Sequence, residues 1–399
     1  MTKLSFYIVW VFFCLNHLYL YGTLSQNIPT IPFYYYIVYL FPAGSLVIWA
    51  FLSFCKNRYL SNRLVVIAFS AFAYILVCIL VSTDTAAGYH QATYRNISLM
   101  NLSILLNYVI LFVTGYFFRD IKAFKSLLIC SFIVVGLNLM FNFNVNMQGI
   151  DTSKIAKGDI GVYLFLGDSF AVLSLLVLSV LRLEISRVLF TFISSALLFM
   201  FHSRTSFYAY CFVMLMYLAI SRSRQIYIYT TLVLSSFSIF IYSFGLFDFV
   251  SDSRIISSLG AAKDDSLTER KQQFEQGIVA LKENLILGDY AGQVRDFADF
   301  GAYMHNYLSL WRQFGLIPFL LFSILMCLNL RLIFLYIREA LNIRRTHPDV
   351  IFFILLSVFN IVEVVSSRSY YYPYVWLTCG MTAKFYLQGA RHEDSLYSK

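Results

Sequence analysis

His305 stands between a long polar stretch and an apolar run, in Met304-His305-Asn306-Tyr307. An imidazole that titrates near neutrality is the side chain most often used to take a proton from a hydroxyl. A lone interfacial histidine more often just hydrogen-bonds a carbonyl, and the arginines around this one shift the balance. Arg204, Arg270, Arg312 and Arg368 lie at the margins of apolar runs or in the polar segments between them. Guanidinium groups grip phosphate with paired, directional N–H donors. Four of them converging on one low-dielectric external cavity would suit a diphosphate.

Each arginine has an ordinary reading beside this one. Ser266-Leu267-Thr268-Glu269 is a capping box, predicting a helix over about 267–285. At 100° per residue Leu267, Phe274, Ile278, Leu281 and Leu285 form its apolar stripe, with Arg270 inside it. A guanidinium there must meet an anion or a carboxylate such as Asp264 or Asp289, and the two readings weigh equally. Arg204 sits in Phe201-His202-Ser203-Arg204-Thr205-Ser206, a polar break too short to let it snorkel freely, and Arg368 sits comparably in Ser366-Ser367-Arg368-Ser369. If the chain is helical from Asn306, then His305, Ser309 and Arg312 share a face. Asp168 and Glu363 fall within apolar runs, where carboxylates cost a few kcal/mol and face the bundle interior. Pairing with the arginines is the favoured role for these acids, and proton relay the alternative. Tyr34-Tyr35-Tyr36 and Tyr370-Tyr371-Tyr372 with Tyr374 and Trp376 read mainly as an interfacial belt, with sugar stacking as a second reading. Asn96-Ile-Ser98 and Asn101-Leu-Ser103 match the glycosylation sequon by chance.

The elements that must position these residues are apolar helices. The chain has 399 residues, 59% hydrophobic and 13% charged, with a mean hydropathy of +0.70. A soluble domain carries about a quarter charged residues, so the fold class is an all-α polytopic membrane protein. Apolar runs near 4–21, 31–54, 64–81, 99–118, 127–143, 160–181, 188–202, 206–220, 226–246, 313–333, 350–366 and 372–389 predict about twelve transmembrane helices. The first reads as an uncleaved helix after Lys3. The net charge of +9 is spread through short basic breaks, which is the positive-inside pattern and sets nucleic acid aside. These breaks hold Lys56/Arg58/Arg63, Arg119/Lys122/Lys125, Arg182/Arg187, Arg222/Arg224 and Arg338/Arg344/Arg345, followed by a tail with Arg391 and Lys399. The breaks at 22–30, 82–98, 144–159, 203–205 and 367–371 are poor in Lys and Arg. Both termini are therefore expected inside and the long 248–305 loop outside, between helices 9 and 10 of a single membrane domain spanning 1–399. The seven cysteines form no CxxC pair, so neither a disulfide framework nor a zinc site is implied.

Taken together, Ser203-Arg204-Thr205, Arg270 with Gly277, Leu287-Gly288, His305-Asn306-Tyr307-Leu308 and Phe314-Gly315-Leu316 resemble the bacterial O-antigen polymerase and O-antigen ligase superfamily. The resemblance covers about the second half of the chain. Gly288-Asp-Tyr-Ala-Gly292 departs from the Gly-x-Gly that often follows the loop helix there. The resemblance implies an inner-membrane enzyme that passes a glycan from undecaprenyl diphosphate to a sugar hydroxyl on the periplasmic face, without nucleotide, metal or other cofactor. By it, Arg204 and Arg270 hold the diphosphate and His305 orients or deprotonates the acceptor, making these three catalytic. Arg312, Arg368, Asn306 and Tyr307 are the further residues expected to contact substrate. The expected partners are lipid-linked glycan donor and acceptor, membrane lipid and, as a candidate, a chain-length regulator protein.

Three functions compete. A polymerase joins lipid-linked repeat units into O-antigen or capsule, and the compact stretch from Arg270 to His305 leans this way. A ligase moves the finished glycan to lipid A-core. A flippase or other transporter would show related halves and charges strung through several helices, neither of which is visible here.

Overall fold

Residues 1–24, 29, 31–56, 62–82, 91–141, 143–144, 149–150, 162–201, 203–221, 223–243, 265–297, 304–342 and 347–397 are described by the structure, a computed structural model. Positions 248–264 and 298–303 of the expected loop, Asp264 included, lie outside the described residues, as do Arg58, Arg222, Arg344, Arg345 and Lys399.

The described chain is helical apart from a two-residue antiparallel pairing of Phe143–Asn144 with Gly149–Ile150. Seven helices among the described residues are long and apolar enough to cross a membrane: Thr2–Leu20, Tyr36–Lys56, Arg63–Val81, Ile97–Phe117, Ile121–Phe141, Leu316–Glu339 and Pro348–Ser366. Helix also occupies the other expected runs, at Val162–Val180, Glu184–Met200, Arg204–Ser221, Arg224–Ser243 and Tyr374–Tyr397. A helix satisfies its own backbone groups, which is the condition for lying in lipid. Local signals set the starts. Asn62 accepts from the Leu64 amide at 3.1 Å, and Pro348 opens its helix with His347 accepting from the Asp349 amide.

Close packing follows from glycine. A Cβ on Gly115 would run into the Leu377 carbonyl, and one on Gly380 into the Phe112 carbonyl, so Gln91–Phe117 and Tyr374–Tyr397 meet backbone to backbone. Among the described residues, three of the breaks fall at the two ends of Pro348–Ser366. At one, the Asp349 carboxylate accepts the Asp120 and Ile121 amides at 2.8 and 3.0 Å, Arg119 donates to Thr2, and Lys384 donates to the Phe118 carbonyl. At the other, the breaks around 203–205 and 367–371 meet. The helix Pro348–Ser366 links the ends, carrying Asp349 near its start and Glu363 near its finish, about 21 Å apart at 1.5 Å per residue.

The loop helix is Asp265–Glu283, two residues ahead of the expected bounds. Its buried face also differs from the hydrophobic stripe. Of the stripe, Leu281 is buried and Ile278 half-buried while Phe274 and Leu285 are exposed, and Gly277 and Ala280 outside the stripe are buried. The reason is steric: a Cβ on Gly277 would strike Met304 Cγ and Sδ, so at Gly277 the helix rests on the residue before His305. The chain then forms the short helices Gly292–Phe297 and Leu308–Phe314 before Leu316–Asn342.

Candidate functional site

Arg368 ties three segments together. Its Nη2 lies 2.7 Å from Asp168 Oδ1 and 3.2 Å from Ser206 Oγ, and its Nε lies 3.1 Å from Glu363 Oε2. Ser206 donates to Asp168 at 2.6 Å and shares a hydrogen bond with Ser203. Both acids of the apolar runs therefore partner one arginine, as their placement in lipid requires. All three charged groups are buried. The cluster sits where Val162–Val180, Arg204–Ser221 and Pro348–Ser366 converge, and Gly167 has no room for a Cβ against Ser203.

His305 attaches to this cluster through the next peptide. Its Nδ1 is 3.2 Å from the Ser367 carbonyl oxygen, and Ser367 Oγ pairs with Thr205 Oγ1 at 2.8 Å. A carbonyl only accepts, so Nδ1 carries the proton and the basic lone pair belongs to Nε2. Burial and the Arg270 charge lower the imidazole to about 4, opposed by the Ser367 hydrogen bond and assisted by Arg368. At neutral pH it is uncharged.

Arg270 lies half-buried on the inner side of the loop helix, with its charge felt at both His305 and Glu363. The Asp289 partner considered for it is engaged elsewhere, its two oxygens held by Arg295 at 3.1 and 2.8 Å. Arg204 opens Arg204–Ser221, half-buried, with Ser203, Thr205 and Ser206 of the same turn bonded into the Arg368 cluster. Thus His305, Arg270 and Arg368 share one electrostatic neighbourhood, with Arg204 on the turn that adjoins it.

Arg312 belongs to a second network. It is 1% exposed, and its Nη2 contacts Asp296 at 3.0 Å. Asp296 also meets Arg295, whose other partner is Asp289. Burial lowers the Arg312 guanidinium from its ordinary value, against the pull of Asp289 and Asp296. Despite burial, the same two acids hold Arg295 above its ordinary value. The helix begins at Leu308 and not at Asn306, so His305 precedes it and shares no helical face with Ser309 and Arg312. Ser309 accepts the Tyr370 amide at 2.7 Å, and Arg312 turns to the acids. Asn306 has a local task, its Oδ1 accepting from the Leu308 amide at 3.0 Å. Tyr307 stacks on Phe319 and lines a cavity of about 20 Å³ with Tyr108, Phe322, Tyr370 and Trp376.

The second tyrosine group is core, not belt. Tyr370, Tyr372, Tyr374 and Trp376 are all buried. Their hydroxyls find partners that apolar context hid: Tyr370 donates to Asn101 at 3.3 Å and accepts from Gln293, and Tyr372 donates to Asn360 at 2.7 Å. Asn101 donates in turn to Tyr290, so this sequon is buried structure. Sequence reasoning passed over Gln293 and Asp296 and gave Asn101 and Ser206 no part in these networks. For Asn101 and Ser206 the available signal was a small polar residue in an apolar helix, which must find a partner there.

No protein-family model and no curated protein matches this chain. The functional reading therefore rests on the site itself. It offers a neutral histidine of fixed tautomer, the charge of an arginine on the helix Asp265–Glu283 acting on it, and a buried ion cluster behind.

Proposed function

We propose that the chain is a periplasmic-face glycosyltransferase that joins undecaprenyl-diphosphate-linked repeat units into O-antigen or capsular polysaccharide. In this reading the chain crosses the inner membrane about twelve times with both termini cytoplasmic, which is what the alternation of basic and Lys/Arg-poor breaks in the sequence supports. One observation carries the reading: His305 is neutral, directs Nδ1–H at a carbonyl, and has Arg270 beside it on the loop helix. The acceptor hydroxyl attacks the anomeric carbon and gives its proton to His305 Nε2. The anomeric C–O bond breaks, and the electron pair leaves with the diphosphate. Arg270 and Arg204 hold the charge that develops there, where prepositioned donors act most strongly. Removing one such donor raises the barrier by about 3 kcal/mol.

Arg270→Ala and His305→Ala should each abolish long-chain polysaccharide while the protein stays inserted and abundant. Normal chain-length ladders from either variant would refute the assignment. A deletion strain separates polymerase from ligase. A single repeat unit on core marks a lost polymerase, and bare core with long glycan left on the carrier marks a lost ligase. A lipid-linked oligosaccharide transporter draws on the Asp168–Arg368–Glu363 cluster, since buried carboxylates can relay protons. Glycan accumulating unflipped in the deletion strain would favour that reading.

A further inference from the structure

The loop helix ends in a change of polarity without a change of exposure. Lys282, Glu283 and Asn284 are exposed and polar, and the next three residues are exposed and apolar: Leu285 at 47%, Ile286 at 65% and Leu287 at 74%. The triplet is held in place rather than dangling. The Leu285 carbonyl accepts from the Trp311 indole at 2.7 Å, and the Ile286 carbonyl accepts from the Leu316 amide at 3.0 Å. Immediately after it, Gly288 abuts the Gly315 nitrogen and the Asp289 amide donates to the Arg312 carbonyl at 2.6 Å. The three side chains are thus fixed beside the first turn of Leu316–Asn342. On that helix Ile317, Leu320 and Ile324 are exposed at a spacing that places them on one face. That face belongs to a helix long and apolar enough to cross a membrane. Trp311, stacked on Phe319 at 4.8 Å, marks the boundary with the side chain most at home there.

Fixed apolar side chains in water would be an uncompensated cost, and an exposed apolar patch of this kind marks a contact surface. Its continuity with the lipid-facing side of Leu316–Asn342 identifies the occupant. We infer that Leu285, Ile286 and Leu287 are immersed in the bilayer, so that the external segment is seated on lipid acyl chains beside the start of Leu316–Asn342. The inference concerns position alone and does not depend on the proposed reaction.

The test is a nitroxide at Ile286→Cys in a chain whose seven native cysteines are replaced by alanine, reconstituted into phosphatidylethanolamine–phosphatidylglycerol vesicles. Oxygen should relax the label more than a water-soluble nickel chelate does, matching a control at Leu320→Cys. A label that instead behaves like one at the exposed, polar Gln276→Cys would overturn the inference. Should the cysteine-free chain fail to fold, p-benzoylphenylalanine at Leu287 in the native-cysteine chain serves in its place. Lipid adducts by mass spectrometry are expected. Their absence, with adducts still formed from the same probe at Leu320, refutes the placement.

Discussion

His305 Nδ1 lies 3.2 Å from the carbonyl oxygen of Ser367, and Ser367 precedes the arginine that pairs with both buried acids. The imidazole tautomer is therefore set by a peptide that the ion cluster anchors.

This relationship separates two variants. In His305→Ala both the orientation and the base are lost, and turnover should fall by about 10² to 10⁴. In His305→Asn the carboxamide can still donate to Ser367, preserving the local fold, but it has no basic nitrogen. Both variants should be equally inactive in a reconstituted polymerisation assay, with the Asn form closer to wild type in thermal stability. An active Asn variant would mean that His305 only orients.

The lowered His305 pKa has a pH signature. The unfolded chain binds a proton near 6.5 and the folded chain near 4. Stability from this residue is therefore complete above about pH 6.5, declines as pH falls toward 4, and is flat below that. Unfolding in detergent from pH 8 to 4 should show a steeper acid loss for wild type than for His305→Asn. Equal slopes would place the imidazole in an ordinary environment. Because Arg270 contributes to the lowering, a bound diphosphate that offsets its charge should move the acid limb of kcat upward relative to that of kcat/KM.

The ion cluster should behave asymmetrically. Arg368→Ala strands two buried carboxylates and should cost about 3–5 kcal/mol, read as loss of folded yield and of thermal stability. Asp168→Asn keeps a hydrogen-bond acceptor for Arg368 and leaves Glu363 as its counterion, so its cost should be nearer 1.5–3 kcal/mol, on the order of a charge-assisted hydrogen bond. Equal losses would show that charge balance is not what holds the cluster.

Gly315 adopts φ 87° and ψ −177°, and a Cβ there would meet the Ile286 carbonyl. Gly315→Ala should cost at least about 1–3 kcal/mol in strain and loosen the loop from the membrane helix. Gly44→Ala is the control, for it has open space in a helix and should be neutral or stabilising by up to about 1 kcal/mol. Thermal unfolding of the two variants in detergent measures the contrast.

Much of the architecture was legible because lipid leaves the chain few choices. Apolar runs become helices, as in the described residues they do. The pairing of Asp168 and Glu363 with an arginine was legible for the same reason, though not that one arginine serves both. The loop helix was foreseen within two residues, and its buried face only in part, at Leu281 and Ile278. Hydrophobicity also nominated Phe274 and Leu285, which are exposed, while the contact with Met304 selected Gly277, since packing distance outweighs apolarity where a helix lies on another segment.

By itself the sequence determined a helical membrane chain, a polar excursion ending at His305, and a set of arginines suited to an anion. Tertiary structure alone decided which of those arginines belong together. Arg368 stands with Asp168 and Glu363 behind His305, whereas Arg312, seven residues after His305, is claimed by Asp296. A buried guanidinium goes to the carboxylate within reach, and reach across 200 residues, as from Arg368 to Asp168, is set by the packing of helices.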